Sequence, residues 1–230
     1  MISAAIVTMT LARSPEDEAL LTESLMAAAS LGYPLAIADR SGRPEFLTRL
    51  ARLPRCTVAV AGGSGLVGQV QTAFSVAASF NTEFLFYTEP DKAAFFRDGA
   101  TRLLRAVEHT PDAGLILAAR SAESFQTFPP MQRYTEGIVN HLCGDLAHPG
   151  DYCYGPFVLH RRLLPHIQSI PAGLGWGWRL STFRAALRQS LPLIHAVDDL
   201  ACPPEQREEG DDDRAHRLRQ LSQNLLGLID

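Results

Sequence analysis

The residues best placed for chemistry in this 230-residue chain are two carboxylates, Glu89 and Asp91, separated by Pro90. They follow Phe84-Leu85-Phe86-Tyr87, a short apolar run with the length and aromatic content of a buried strand. Alternate residues of an extended chain project to the same side. Pro90 also biases Glu89 towards an extended conformation. Both carboxylates are therefore expected to project together from the end of a strand. Such oxygen ligands suit a hard divalent cation. Mg²⁺ or Mn²⁺ held by one or two carboxylates commonly completes its shell with water and phosphate. The same acid-Pro-acid cluster also reads as a solvated turn.

A second constellation is Gly63-Ser64-Gly65-Leu66-Val67-Gly68. It fits G-x-G-x-x-G between a strand and a helix, where glycines admit a pyrophosphate to a helix N-terminus. With Glu89 after the next strand as a ribose-binding acid, it supports an NAD(P)-dependent oxidoreductase as an alternative function. Two features weigh against this. The loop follows two complete strand-helix units, and the reading leaves Asp91, the D-Y-C-Y-G-P turn from Asp151 and the Trp176-Gly177-Trp178 loop without a role. The glycines also read as a plain tight turn. Trp176 and Trp178 offer aromatic faces suited to sugar rings, or ordinary core packing. Asp211-Asp212-Asp213 reads as a solvated face or helix cap.

The whole chain bounds these options. Its net charge is -4, which argues against a general nucleic-acid binder. Hydrophobic residues at 46% and charged residues at 20% exclude a disordered chain. No apolar run has the length of a membrane span, and the N-terminus reads as a first strand rather than a secretory leader. Cys56, Cys143, Cys153 and Cys202 are widely spaced and include no C-x-x-C pair, so a structural zinc site is not expected. A cytoplasmic location with reduced thiols is the expectation.

The elements that must position the acids alternate between strand and helix. Strands are expected at Ala4–Met9, Pro34–Ala38, Thr57–Ala61 and Phe84–Tyr87. Helices are expected from Ser14-Pro15 to Gly32, over Pro44–Leu53 and over Val67–Ala78. This alternation predicts a single-domain, Rossmann-like α/β fold, a mostly parallel sheet with helices on both faces. Ligands of such sheets sit beyond the carboxyl ends of the strands, where Asp39, the glycine loop, Glu89 and Asp91 all fall. The second half is less regular. A helix is expected over Phe95–Glu108, a strand over Gly114–Ala118, an irregular helix over Pro129–Cys143 and a strand after the turn at Asp151. A short helix at Arg161–Ser169, a glycine-aromatic loop at Gly173–Arg179, a helix at Ser181–Gln189 and a strand at Pro192–Val197 follow. Leu218, Leu221, Leu225 and Leu228 mark a terminal amphipathic helix, for core or homodimer packing. One domain divides into a nucleotide-binding half (1–92), an acceptor half (93–204) and this helix (205–230).

The order of these features, over about residues 2–202, resembles the GT-A fold of nucleotide-sugar glycosyltransferases, particularly family 2-like enzymes. The resemblance implies a metal-dependent transfer of a sugar from a nucleoside diphosphate sugar to a small or glycan acceptor, with Mn²⁺ or Mg²⁺ as cofactor. It implies donor contacts from the first strand and its loop, here Thr10 and Arg13, and a base contact from Asp39. Gly65 and Gln69, opening the helix after the third strand, join this donor-side set. Glu89 and Asp91 stand in the two acidic positions of the family's D-x-D, and Lys92 or Arg13 would add positive field. His195, with Asp198 and Asp199 close behind, is the candidate third metal ligand, although a lone histidine on an apolar strand reads equally as a core residue. Gly155–Arg162 is similar to the post-metal strand and short helix, and Gly175–Trp178 to the acceptor-side loop.

Two departures matter. The motif is E-x-D rather than D-x-D, which makes Asp91 the safer ligand. Inverting members carry a catalytic carboxylate after the tryptophan-glycine loop, where this chain has Arg179, and a guanidinium cannot accept a proton. The base would then be elsewhere, with Asp151 as the candidate, or the enzyme would be retaining, or the domain would bind without catalysis. Arg179 would suit the carboxylate or phosphate of a small acid acceptor such as glycerate or phosphoglycerate.

Overall fold

The computed structural model describes residues 3–63 and 65–229; Met1, Ile2, Asp230 and Ser64, within the glycine loop, lie outside them. Among the described residues seven strands form one sheet: β1 (Ala4–Thr10), β2 (Leu35–Asp39), β3 (Cys56–Val60), β4 (Phe84–Tyr87), β5 (Leu115–Arg120), β6 (Phe157–His160) and β7 (Leu193–Asp198). The sheet order is β3-β2-β1-β4-β6-β5-β7. All neighbours are parallel except β6, which runs antiparallel between β4 and β5. The mostly parallel α/β fold expected from the alternation is the one observed.

Among the described residues ten α-helices accompany the strands: α1 (Pro15–Ser30), α2 (Pro44–Ala51), α3 (Gly65–Ala78), α4 (Ala93–Arg97), α5 (Gly99–His109), α6 (Ala122–Gln126), α7 (Pro130–Leu146), α8 (Leu164–Ser169), α9 (Trp178–Arg188) and, after the last strand, α10 (Asp211–Ile229). Ser14 caps α1, its side chain accepting from the Asp17 N–H, with Pro15 in the first turn, as the sequence indicated. Elsewhere the structure departs from the local pattern. The helix expected over Phe95–Glu108 is two helices meeting at Asp98, whose φ of -131° is non-helical. The glycine-aromatic loop is a 3₁₀ turn, Ala172–Gly177, leading straight into α9. Short helix α6 was not expected at all.

The central strands are apolar throughout because both faces of the sheet are covered. Ala5, Val7, Leu85 and Tyr87 pack into one core with Phe74, Trp178 and Phe157. Their alternates Ala4, Ile6, Phe84 and Phe86 pack into the other with Leu25, Phe46 and Phe96. Trp178 is fully buried against Tyr87 and Phe74, which settles it as a core residue. The C-terminal helix packs on the 3₁₀ turn, on α7 and on α9. The Trp176 N–H donates to Gln223 Oε1 at 3.0 Å across that contact. Leu221 and Leu228 reach the core, whereas Leu218 and Leu226 face outwards. Asp211–Asp213 form the first turn of α10, and Asp213 accepts the Gly210 N–H, so the run caps a helix. Among the described residues no helix is long and apolar enough to cross a membrane.

Candidate functional site

The sheet reverses its winding between β1 and β4, because β1 leads to β2 on one side and β4 lies on the other. Ligands of open α/β sheets collect at such a switch point. The Thr8 hydroxyl donates to the Thr88 carbonyl at 2.8 Å, tying β1 to the segment that leaves β4. One residue on, Glu89 and Asp91 both line a cavity of ≈ 490 Å³. That size falls in the ordinary range for small-molecule sites.

Asp91 is exposed, and Glu89 is mostly buried, its side chain 16% accessible. Gly155, with φ +129°, carries the 151–156 turn so close to Glu89 that a Cβ there would collide with the carboxylate. Glu89 Oε1 lies 3.9 Å from Arg179 Nη1. Glu89 Oε2 is buried with no hydrogen-bond partner among the described residues. A buried carboxylate oxygen without a partner is expensive unless something completes it, and a hard cation is one such complement. The residues present therefore fit a divalent ion held by Glu89 and Asp91.

Arg179 lies at the same wall. Its Nη2 donates to the Tyr152 carbonyl at 3.3 Å, and Nη1 faces Glu89. Lys92 also lines the cavity, its ammonium 4.8 Å from the centre of the Tyr154 ring. Trp176 forms part of the lining, so the two tryptophans divide between cavity and core.

Asp151 does not have the freedom of a proton acceptor. Arg120, fully buried at the end of β5, donates to it from Nε at 2.6 Å and from Nη2 at 2.9 Å. The Arg120 backbone N–H, the Cys153 N–H and the Asn140 amide donate to the same carboxylate. Burial pushes the Asp151 pKa up, but the bonds and charge of Arg120 outweigh it and hold the carboxyl below its usual range. Arg120 also donates to Glu136 at 2.6 Å and stacks on Phe128 and Phe125. Asp151 is a structural anchor, and the expectation of a catalytic base there is corrected.

His195 is corrected as well. Its ring packs edge-on against Tyr152 and meets His148, Nδ1 to Nε2 at 3.1 Å, with Gly150 beneath it. It sits mid-strand in β7 opposite Leu117 rather than at the cavity wall. Burial, then the neighbouring His148, pulls its pKa down to about 4, so the ring is neutral near pH 7. Among the described residues no three His, Cys, Asp or Glu side chains converge tightly enough to hold a metal ion by themselves.

The donor-side set is likewise turned inwards at three of its five positions. Thr10 donates to Asp39 Oδ1 at 2.7 Å, and Asp39 accepts from the Ser41 hydroxyl and the N–H groups of Ser41 and Gly42. The Gln69 amide donates to the carbonyls of Thr10 and Ala38. Asp39 is fully buried, so it shapes the rim from within and has no face to offer a base. Arg13 is exposed, and Gly65 opens α3 with φ +69°.

Two contributors escaped the sequence reading. Arg120 and Glu136 are one; an arginine closing a buried strand demands acidic partners, which was the available signal. The other is His216 on α10, which lines the cavity with Glu89 and Asp91. Burial, then Arg217 and Arg219, lowers its pKa and favours the neutral ring. Nothing local distinguishes it from any other helix histidine.

A mixed sheet of this order with an acidic rim at the switch point defines a fold of GT-A type. Solved structures of a glucosyl-3-phosphoglycerate synthase from Mycobacterium tuberculosis share it. Its complex with Mn²⁺, UDP and glucosyl-3-phosphoglycerate is 13% identical, covers 99% of this chain and 80% of that one, and has a TM-score of 0.64. The complex with Mn²⁺, UDP and phosphoglyceric acid is 13% identical, with 99% and 78% covered and a TM-score of 0.65. The complex with Mg²⁺ and UDP is 13% identical, with 99% and 79% covered and a TM-score of 0.62. No protein-family model matches the chain, and no curated protein matches it.

Proposed function

We propose that this chain is a metal-dependent GT-A glycosyltransferase that takes its sugar from a nucleoside diphosphate donor. The observation that carries the reading is the Glu89–Asp91 pair lining a cavity at the switch point, with Glu89 Oε2 unpartnered. The Mycobacterium tuberculosis enzyme was solved with Mn²⁺ or Mg²⁺ and UDP, which favours UDP and those ions here. The cation would be held by Glu89 and Asp91. When bound, it supplies charge stabilisation for a departing diphosphate.

The chain's own groups do the rest. Arg179 and Lys92 add fixed positive charge to an otherwise acidic wall, where a diphosphate needs it. The Arg120–Asp151 clamp fixes the 151–156 turn, and through it the Gly155 backbone that seats Glu89. Trp176 offers an aromatic surface to a sugar ring. The family 2-like grouping, the single division into donor and acceptor halves and a cytoplasmic location belong to the same reading.

The oxidoreductase alternative finds less support. The glycine loop follows β3, an edge strand, rather than the strand at the switch point. Gly63 and Gly68 also need to be small for each other: a Cβ on Gly68 would lie 2.6 Å from the Gly63 carbonyl carbon.

Thermal denaturation with ligands tests the proposal. UDP should raise Tm only when Mn²⁺ or Mg²⁺ is present, by about 2.7 kcal/mol of added stability at a hundredfold excess over Kd. Stabilisation by NAD(H) without metal would establish the alternative. Donor binding without sugar transfer to any acceptor would reduce the protein to a binding domain.

A further inference from the structure

We infer that the acceptor of this site is a hydroxyl compound carrying no net negative charge, unlike the phosphoglycerate bound by the structural neighbour. The inference rests on the transferase reading above. Its first ground is the lining of the cavity, which presents seven carboxylate side chains against the cations of Lys92, Arg179 and Arg217.

The cations are also committed. The Arg179 fork is turned towards protein, Nη1 to Glu89 and Nη2 to the Tyr152 carbonyl. In the transferase reading its charge serves the departing diphosphate, so it is not also available to an acceptor carboxylate. Arg217 donates to the side-chain oxygens of Gln132 and Gln220. Lys92 sits against the Tyr154 ring, beside Asp91 at the donor end.

The acids are not equally committed. Glu136 is paired with Arg120, and Glu209 is held by the Met131 and Gln132 N–H groups at the start of α7. Glu205 and Glu208 line the same cavity and are exposed. A divalent cation and a nucleoside diphosphate sugar bring nearly cancelling charges, so a loaded site keeps its negative balance. A trianionic acceptor would enter against that field, and a neutral or amine-bearing hydroxyl compound would not.

The test uses the full chain. Binding of UDP with Mn²⁺ is measured first by calorimetry; its absence would overturn the transferase reading itself, before any acceptor is added. On the loaded protein, 3-phosphoglycerate and glucosamine are then titrated at low and high NaCl. Glucosamine should bind at least about tenfold more tightly than 3-phosphoglycerate at low salt. Added salt should help the anion and weaken the amine. The Glu205→Lys/Glu208→Lys double variant should tighten 3-phosphoglycerate binding at least about tenfold. If neither probe binds the unmodified protein, a gain in the double variant supports the inference and no gain overturns it. Submillimolar 3-phosphoglycerate binding to the unmodified protein, strongest at low salt, also overturns it.

Discussion

Two acidic pairs lie near the carboxyl ends of β4 and β5, and they have opposite fates. Glu89 and Asp91 leave β4 into a cavity, one with an oxygen that finds no partner and the other exposed. Asp151 and Glu136 converge on Arg120 at the end of β5, where every contact is internal and short. The residue types are the same. What differs is whether the fold brings a cation into hydrogen-bond contact: Arg120 donates at 2.6 Å, whereas Arg179 stays 3.9 Å from Glu89. Where it does, the carboxylates become structure; where it leaves a place open, they become a site.

The largest expected effect comes from breaking the closed cluster. Arg120→Met should cost about 3–5 kcal/mol in urea denaturation, because it leaves two buried carboxylates uncompensated. Asp91→Asn should change the same measurement by less than about 0.5 kcal/mol, since Asp91 is an exposed residue. Equal losses from the two variants would erase the distinction between the pairs.

Function should sort the other way. Asp91→Asn should remove the metal-dependent part of UDP stabilisation and lower sugar transfer at least about a hundredfold, or about 2.7 kcal/mol in the barrier. Calorimetry with UDP and Mn²⁺ reads the first effect and a UDP-release assay the second.

A smaller effect is expected from pH. The folded state holds His195 neutral, its pKa pulled down to about 4 from 6.5. The unfolded chain therefore binds this proton first, and stability falls as pH drops from about 6.5 through about 4. Asp198 and Asp151 lie on or beside the same loop and strand, and Asp151 loses its advantage only below its ordinary range. His195→Gln should flatten the upper part of that decline, as followed by Tm across pH. An unchanged profile would show that the ring is free to protonate in the folded protein.

Some of this molecule could be read without coordinates. The strand-helix alternation of the first half followed from apolar runs, the Ser14-Pro15 cap and turn glycines, and β4 fell where its aromatic run placed it. Glu89 and Asp91 were legible because a two-residue spacing at a strand end has a direct geometric consequence. The second half was harder, since the antiparallel β6 and the broken helix at Asp98 answer to contacts distant in sequence. The surroundings of Asp151 and His195 were hidden for the same reason. A carboxylate beside Gly150 says nothing of an arginine 31 residues earlier. A histidine on a strand says nothing of the His148 and Tyr152 that enclose it.

By itself, the sequence determined periodicity, caps and the local direction of side chains, since each depends on neighbours within a few residues. Tertiary structure alone decided which charges meet a partner. Coulomb attraction and desolvation act through space between groups that the chain order keeps apart, so pairing could be settled only once the sheet had brought them together.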